Sequence, residues 1–179
     1  MGYDALKRQL PAPYQQALTQ AKRVMVELLR ADAALPRAQR RFLGDFHSPR
    51  VETYVGVWKP KSGLRFADVL VIEEGPLAGR PPRVETLSFK SRNLTLLDGK
   101  ALDAQMIADA RDALGYYGGT LDIRRPSLQS LLRESSEVPV RRVRLIYEGG
   151  DLKPRDVNVL KRAVDEAELR VKGVEVLVQ

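Results

Sequence analysis

The chain has no cysteine among its 179 residues. That absence excludes disulfides, thiolate zinc sites and a cysteine nucleophile together. Histidine is almost as scarce: His47 stands alone, so a zinc or histidine-rich metal centre lacks ligands. A serine hydrolase would have to recruit that same residue, and no G-x-S-x-G turn is present to hold its nucleophile. No apolar run reaches the roughly 18 residues that a membrane span requires, and the opening MGYDALKRQL has no apolar signal core. There is no internal repeat, no low-complexity tract and no linker long enough to divide the chain, so a single domain over residues 1–179 is expected.

What the chain does have is positive charge. Thirty Lys and Arg stand against 23 Asp and Glu, a formal charge of +7. A basic balance of this size favours an anionic partner, and nucleic acid is the commonest, because neutralising phosphates releases counterions. The segment 36–50 carries Arg37, Arg40, Arg41 and Arg50 against Asp45. It suits phosphates, or is a solvated charged face.

Hydrophobic spacing sets out the elements in order. Residues 14–30 predict a helix with Leu18, Ala21, Met25, Leu28 and Leu29 near one face. Glu27 lies within it, either on the solvent side or as a carboxylate aimed at a site. Residues 51–58 and 64–72 predict a hairpin across the turn 59–63. A Gly/Pro loop over 73–83 leads to a strand within 84–94. Residues 100–117 predict a helix capped by Asp98 and ended by Gly118 and Gly119. A short strand over 120–125, a short helix over 127–133, a strand over 138–147, a helix over 153–171 and a strand over 174–178 complete the chain.

Two stretches hold polar residues where apolar ones belong. Asp68 interrupts LRFADVLVI, a run apolar on both faces, so its carboxylate should meet a cation or accept several hydrogen bonds. It is either functional or a satisfier of backbone donors. In PRVETLSFKSRNL, Thr86, Ser88 and Lys90 share one face at period two while Leu87 and Phe89 face the other way. The strand is therefore either an edge with a solvated face or the carrier of a buried lysine that needs an anion.

A helix, a hairpin whose second strand carries Asp68, and a third strand carrying Lys90 before a helix together resemble the restriction-endonuclease-like PD-(D/E)xK nuclease superfamily. Residues 85–92 (ETLSFKSR) look most like the nuclease domains at the C-terminal ends of bacterial polymorphic toxins. The resemblance covers roughly residues 14–125. It implies an α/β (α+β) fold with an α-β-β-β-α-β mixed sheet flanked by helices, and residues 126–179 as a C-terminal β-α-β extension. Asp68 would then be the metal-binding aspartate, and Lys90 the lysine that orients the attacking water. Ser88 stands where the second acidic ligand belongs and brings no charge to hold a hard cation. Glu85 would replace it if a bulge shifted the register, Glu27 from the first helix is the next substitute, and Glu52 a third. Gln105 would complete the ligand shell or touch nucleic acid.

The resemblance further implies hydrolysis of nucleic-acid phosphodiesters, DNA favoured, with Mg2+ or Mn2+ as cofactor, and Arg80, Arg83, Arg92 and Lys100 on flanking phosphates. A toxin of this kind would be exported within a larger protein, act in the cytoplasm of a target bacterium and be held by an acidic immunity protein. Two other readings remain: a basic module of nuclease-like fold that binds without cutting, and a metal-independent ribonuclease using His47 beside Arg50 and Glu52.

Overall fold

The computed structural model describes residues 12–132 and 135–179, with side chains in the first helix from Gln20 onward. Helix α1 (Ala12–Ala34) precedes the hairpin β1 (Pro49–Lys59) and β2 (Gly63–Glu73). Strand β3 (Val84–Lys90), helix α2 (Gly99–Tyr117), strand β4 (Thr120–Ile123) and the single turn α3 (Gln129–Leu132) follow. Strand β5 (Glu137–Tyr147), helix α4 (Val157–Arg170) and strand β6 (Val174–Val178) end the chain. The fold is mixed α+β, a six-stranded mixed sheet flanked by helices.

Strand pairing makes β3 and β5 the middle of the molecule. β2 is antiparallel to both β1 and β3, while β3, β5 and β6 run parallel. The short β4 pairs antiparallel with β1 at Val57↔Ile123 and with β5 at Leu121↔Val138, closing a ring of five strands with β6 outside it. β3 is thus not an edge strand. The segment beyond residue 126, expected as an appendage, supplies the strand that runs parallel to β3 after α2; residues 120–123 are a four-residue insert.

Three apolar clusters follow from this layout. Met25 and Leu29 of α1 pack on Val69, Val71, Leu87 and Ile146. Leu102, Met106 and Ala110 of α2 join Ala163 and Ala167 of α4 against Leu145 and Val176. Val55, Val57, Leu70, Ile72, Leu121 and Ile123 cluster with α3 between β1, β2 and β4. β1 changes clusters along its length, since Val51 belongs with α1 whereas Val55 and Val57 belong with Leu121. Between them lies Tyr54, with φ at +53°, a conformation costly for a bulky side chain.

The expected apolar face of α1 needs correcting. Leu28 is 49% exposed, Leu18 lies outside the described side chains, and Asp32 takes a buried position beside Met25 and Leu29. Asp32 is buried because it accepts the backbone N–H groups of Arg41, Phe42 and Leu43 at 2.7, 3.1 and 2.9 Å. α4 begins at Val157 rather than near Pro154, because Asp156 accepts from the N–H groups of Asn158 and Val159 and caps it there. Asp98 caps α2 as the sequence predicts.

Replacing Asp32 with alanine leaves three loop donors without their acceptor. We expect a loss of about 2 kcal/mol in urea-induced unfolding, with helical content retained; an unchanged midpoint would show that water replaces the carboxylate without cost.

Candidate functional site

The site is built where β2 and β3 separate. Their last registered pair is Val69↔Leu87. Beyond it Asp68 Oδ2 accepts the Phe89 N–H at 2.9 Å, a side chain standing in for the ladder. Asp68 Oδ1 accepts from the Lys22 ammonium of α1, also at 2.9 Å, with the aspartate side chain 16% exposed. Asp68 therefore satisfies one backbone donor and pairs with one ammonium.

Lys90, the next residue of β3, is half-buried, and among the described residues no hydrogen bond or ion pair engages its ammonium. Its carbonyl accepts the Glu148 N–H at 2.8 Å, and Ser91 Oγ donates to Glu148 Oε2 at 2.6 Å. Lys22, Phe89, Lys90, Ser91, Ile146 and Glu148 line a small cleft between α1 and the ends of β3 and β5. Glu148 escaped the sequence reading because it follows a strand that had no assigned place there. Ser88 is 7% exposed and registers against Leu145 of β5.

The expected substitutes for the second carboxylate do not reach this place. Glu85 is wholly buried, four residues from Phe89, about 13 Å along an extended strand. Arg83 Nε and Arg142 Nε donate to its two oxygens at 2.9 and 3.0 Å, and Arg144 Nη1 lies 3.7 Å away. Asp45 and Glu175 complete this network by pairing with Arg83, Arg142 and Arg144. The one register shift between β3 and β5 falls at Val84/Glu85 and leaves Glu85 opposite Arg142. Glu27 is exposed, away from the buried Met25, Leu29 and Asp32 of its helix. Glu52 is held by Arg50 at 2.7 Å and Arg125 at 3.3 Å.

The expected phosphate contacts disperse as well. Arg83 is spent on Glu85 and Asp45. Arg92 makes a two-pronged pair with Asp109, at 2.8 and 2.9 Å, where Gln105 Nε2 also donates at 3.0 Å and the Tyr147 hydroxyl at 2.7 Å. Arg92 and Gln105 thus do meet, but on a buried aspartate that the sequence reading missed. The signal was present: Asp109 falls on the stripe of Leu102, Met106 and Ala113, where a charge needs partners. Lys100 is exposed at the start of α2, about 25 Å along the helix from Tyr117. Arg80 is exposed in the loop before β3. His47 is exposed and its backbone N–H is held by Glu73 at 2.6 Å, while Arg50 and Glu52 pair with each other.

Electrostatics follow from this burial. Desolvation, then the charge of Asp68, pushes the Tyr117 hydroxyl up to about 12. Desolvation, then the hydrogen bond to Asp109, raises Tyr147 as well. The Asp109 hydrogen bond raises Arg92, whereas burial lowers Arg144 despite the nearby Glu85.

A divalent ion fits this arrangement poorly. Magnesium and manganese are held through charged oxygens, usually two carboxylates or a carboxylate with substrate phosphates. Asp68 already carries Lys22, and Glu148, the carboxylate across the cleft, accepts from Ser91. Among the described residues no three acidic, histidine or cysteine side chains gather to hold a metal.

Two outcomes follow. Glu85→Ala would leave Arg142 and Arg144 without their buried counter-charge, and we expect a loss of about 3–5 kcal/mol in denaturant titration; a folded, equally stable variant would contradict the structural role. Tyr117 and Tyr147 keep their protons in the folded state above the ordinary tyrosine value of 10. Above pH 10 the unfolded chain binds fewer protons there, so the contribution of Tyr117 is full below about pH 10 and is lost as pH rises through about 12. Urea midpoints should fall across that interval, less steeply in Tyr117→Phe; a flat profile would contradict the assignment.

Searches with this chain found no matching family model, no matching curated protein and no matching solved structure.

Proposed function

We propose that the chain is a nuclease, hydrolysing phosphodiester bonds of nucleic acid, DNA favoured, with Asp68 and Lys90 at its centre. The observation that carries this reading is the hydrogen bond from the Phe89 N–H to Asp68, which brings the carboxylate within one residue of an unspent ammonium. Lys90 meets a non-bridging phosphate oxygen and offsets the charge that builds there during attack. An arriving phosphate competes with Asp68 for Lys22, and the released carboxylate orients the attacking water. The resemblance adds a magnesium or manganese requirement; since Asp68 is paired with Lys22 and Glu148 accepts from Ser91, no step is drawn through an ion. The formal charge of +7 supports a polyanionic substrate.

The bacterial toxin role belongs to the same proposal, with export inside a larger protein, action in a target cell's cytoplasm and an acidic immunity partner. It is supported by the likeness of residues 85–92 and by the basic charge.

One observation favours a second reading, a module of the same shape that binds nucleic acid without cutting it. Ser88 supplies no charge and Lys22 already neutralises Asp68. Plasmid DNA, single-stranded DNA and total RNA, each with magnesium, manganese or EDTA, separate the two. For a nuclease, Asp68→Ala and Lys90→Ala should each reduce cleavage by about 100-fold or more. Cleavage that survives both substitutions would overturn the site; binding without cleavage in the wild type would select the second reading.

A further inference from the structure

A lysine stands on Asp68 where a nuclease of the resembled kind would place a divalent ion. The Lys22 ammonium lies 2.9 Å from Asp68 Oδ1, and Oδ2 accepts the Phe89 N–H at the same distance, so each carboxylate oxygen already has a partner. Both side chains are partly buried, at 27% exposure for Lys22 and 16% for Asp68. Burial of this degree strengthens their attraction relative to a surface pair.

The core fixes the helix that delivers Lys22. Met25, three residues on, is 4% exposed, and with Leu29 it packs on Val69, Val71, Leu87 and Ile146. Residues three apart lie on one side of a helix, so the face of α1 that carries Met25 into the core also turns Lys22 toward the sheet. Ala21 and Lys22 accordingly line the cleft with Phe89 and Ile146.

The groups that would have to share a divalent ion with Asp68 are committed elsewhere. Ser88, 7% exposed, offers only a neutral hydroxyl. Glu85 is divided between Arg83 and Arg142. Glu148 accepts the Ser91 hydroxyl at 2.6 Å, and its N–H donates to the Lys90 carbonyl. Glu148 approaches β3 from the β5 side and Asp68 from the β2 side, so their backbones stand two strand spacings apart, about 10 Å. An ion drawn to Asp68 alone, at a metal–oxygen contact of about 2 Å, would lie within about 5 Å of the Lys22 ammonium, a like charge.

We propose that Lys22 is the built-in cation of this site: its ammonium takes the place of the divalent ion on Asp68, and with Lys90 it compensates charge during phosphodiester hydrolysis without a metal. The inference rests on the nuclease reading above and replaces the magnesium or manganese requirement that the resemblance implies. An entering phosphate presents a non-bridging oxygen to each ammonium, which offsets the charge that builds during attack. The oxygen of a water bonds to phosphorus as the bond from phosphorus to the leaving sugar oxygen breaks. The proton lost by that water passes to Asp68 and on to solvent, and the leaving oxygen takes a proton from solvent, so water is the one co-reactant.

Cleavage and metal binding are measured side by side. Plasmid DNA, single-stranded DNA and total RNA are incubated in EDTA with the wild type, Lys22→Met and Lys22→Arg. Binding of Mn2+ to these proteins and to Asp68→Asn is followed through the electron paramagnetic resonance signal of the free ion. The wild type should cleave in EDTA. Lys22→Met should lose about 100-fold or more of that rate, the scale of one charge-stabilising donor. Lys22→Arg should retain most of it, a rescue that separates the role of the charge from lost packing. Lys22→Met should also bind Mn2+ about 10-fold or more tighter than the wild type, because the like charge is gone and Asp68 is open. Wild-type cleavage that EDTA abolishes and Mn2+ restores overturns the proposal, as does wild-type Mn2+ binding that Asp68→Asn removes. A folded Lys22→Met protein that cleaves in EDTA as fast as the wild type, or gains no Mn2+ affinity, overturns it too. The two readings fail separately. If no nucleic acid is cut under any condition the nuclease reading falls, and Mn2+ affinity gained in Lys22→Met still places Lys22 in the cation's position. Metal-dependent cleavage lost in Asp68→Asn does the reverse.

Discussion

β3 has no free edge. It is hydrogen-bonded to β2 on one side and to β5 on the other, so every polar group placed on it must be met from within the molecule. Glu85 is met by arginines from β5 and from the strand's own approach, Thr86 Oγ1 donates to the Tyr117 carbonyl, and the Phe89 N–H is met by Asp68. Lys90 is where that enclosure ends. Among the described residues no hydrogen bond or ion pair engages its ammonium.

The same constraint explains where the positive charge goes. Arg83, Arg92, Arg142 and Arg144 all pair with carboxylates that are buried or partly buried. Such pairs cost desolvation on both sides and are weak evidence for stability gained. Their effect here is positional, since each ties β3 or its exit to a more distant segment. The basic groups that remain open to solvent lie elsewhere, among them Arg65 on the hairpin and Arg80 and Lys100 around the loops.

The order and kind of the elements were largely legible in the sequence, because strand alternation, turn residues and the Asp98 cap are local signals. The pairing of β3 with β5 was not, for nothing local says which distant strand lies alongside. That gap misled the reading of the site. Glu85 is a ligand candidate when only its distance from Lys90 is considered, and becomes a structural ion once Arg142 stands opposite. Arg92 and Gln105 suit phosphates until Asp109 is seen between them. Asp68 and Lys90 stood out because a charge interrupting an apolar strand is itself a local signal. Lys22 and Glu148 became visible only through contacts across the fold.

The network around Glu85 also has a temporal side. Arg142 is 57 residues beyond Glu85 and 97 beyond Asp45, and Arg144 donates to the Phe42 carbonyl across 102 residues. Synthesis from the N-terminus therefore produces the β1–β2–β3 meander with its buried acid met by Arg83 alone among these arginines. The meander can close only when β5 has been made, so folding must wait for long-range pairing, which is slow. Until then the edge of β3 that will receive β5 is open, and the growing chain is most exposed to misassociation at the strand that later has no edge at all.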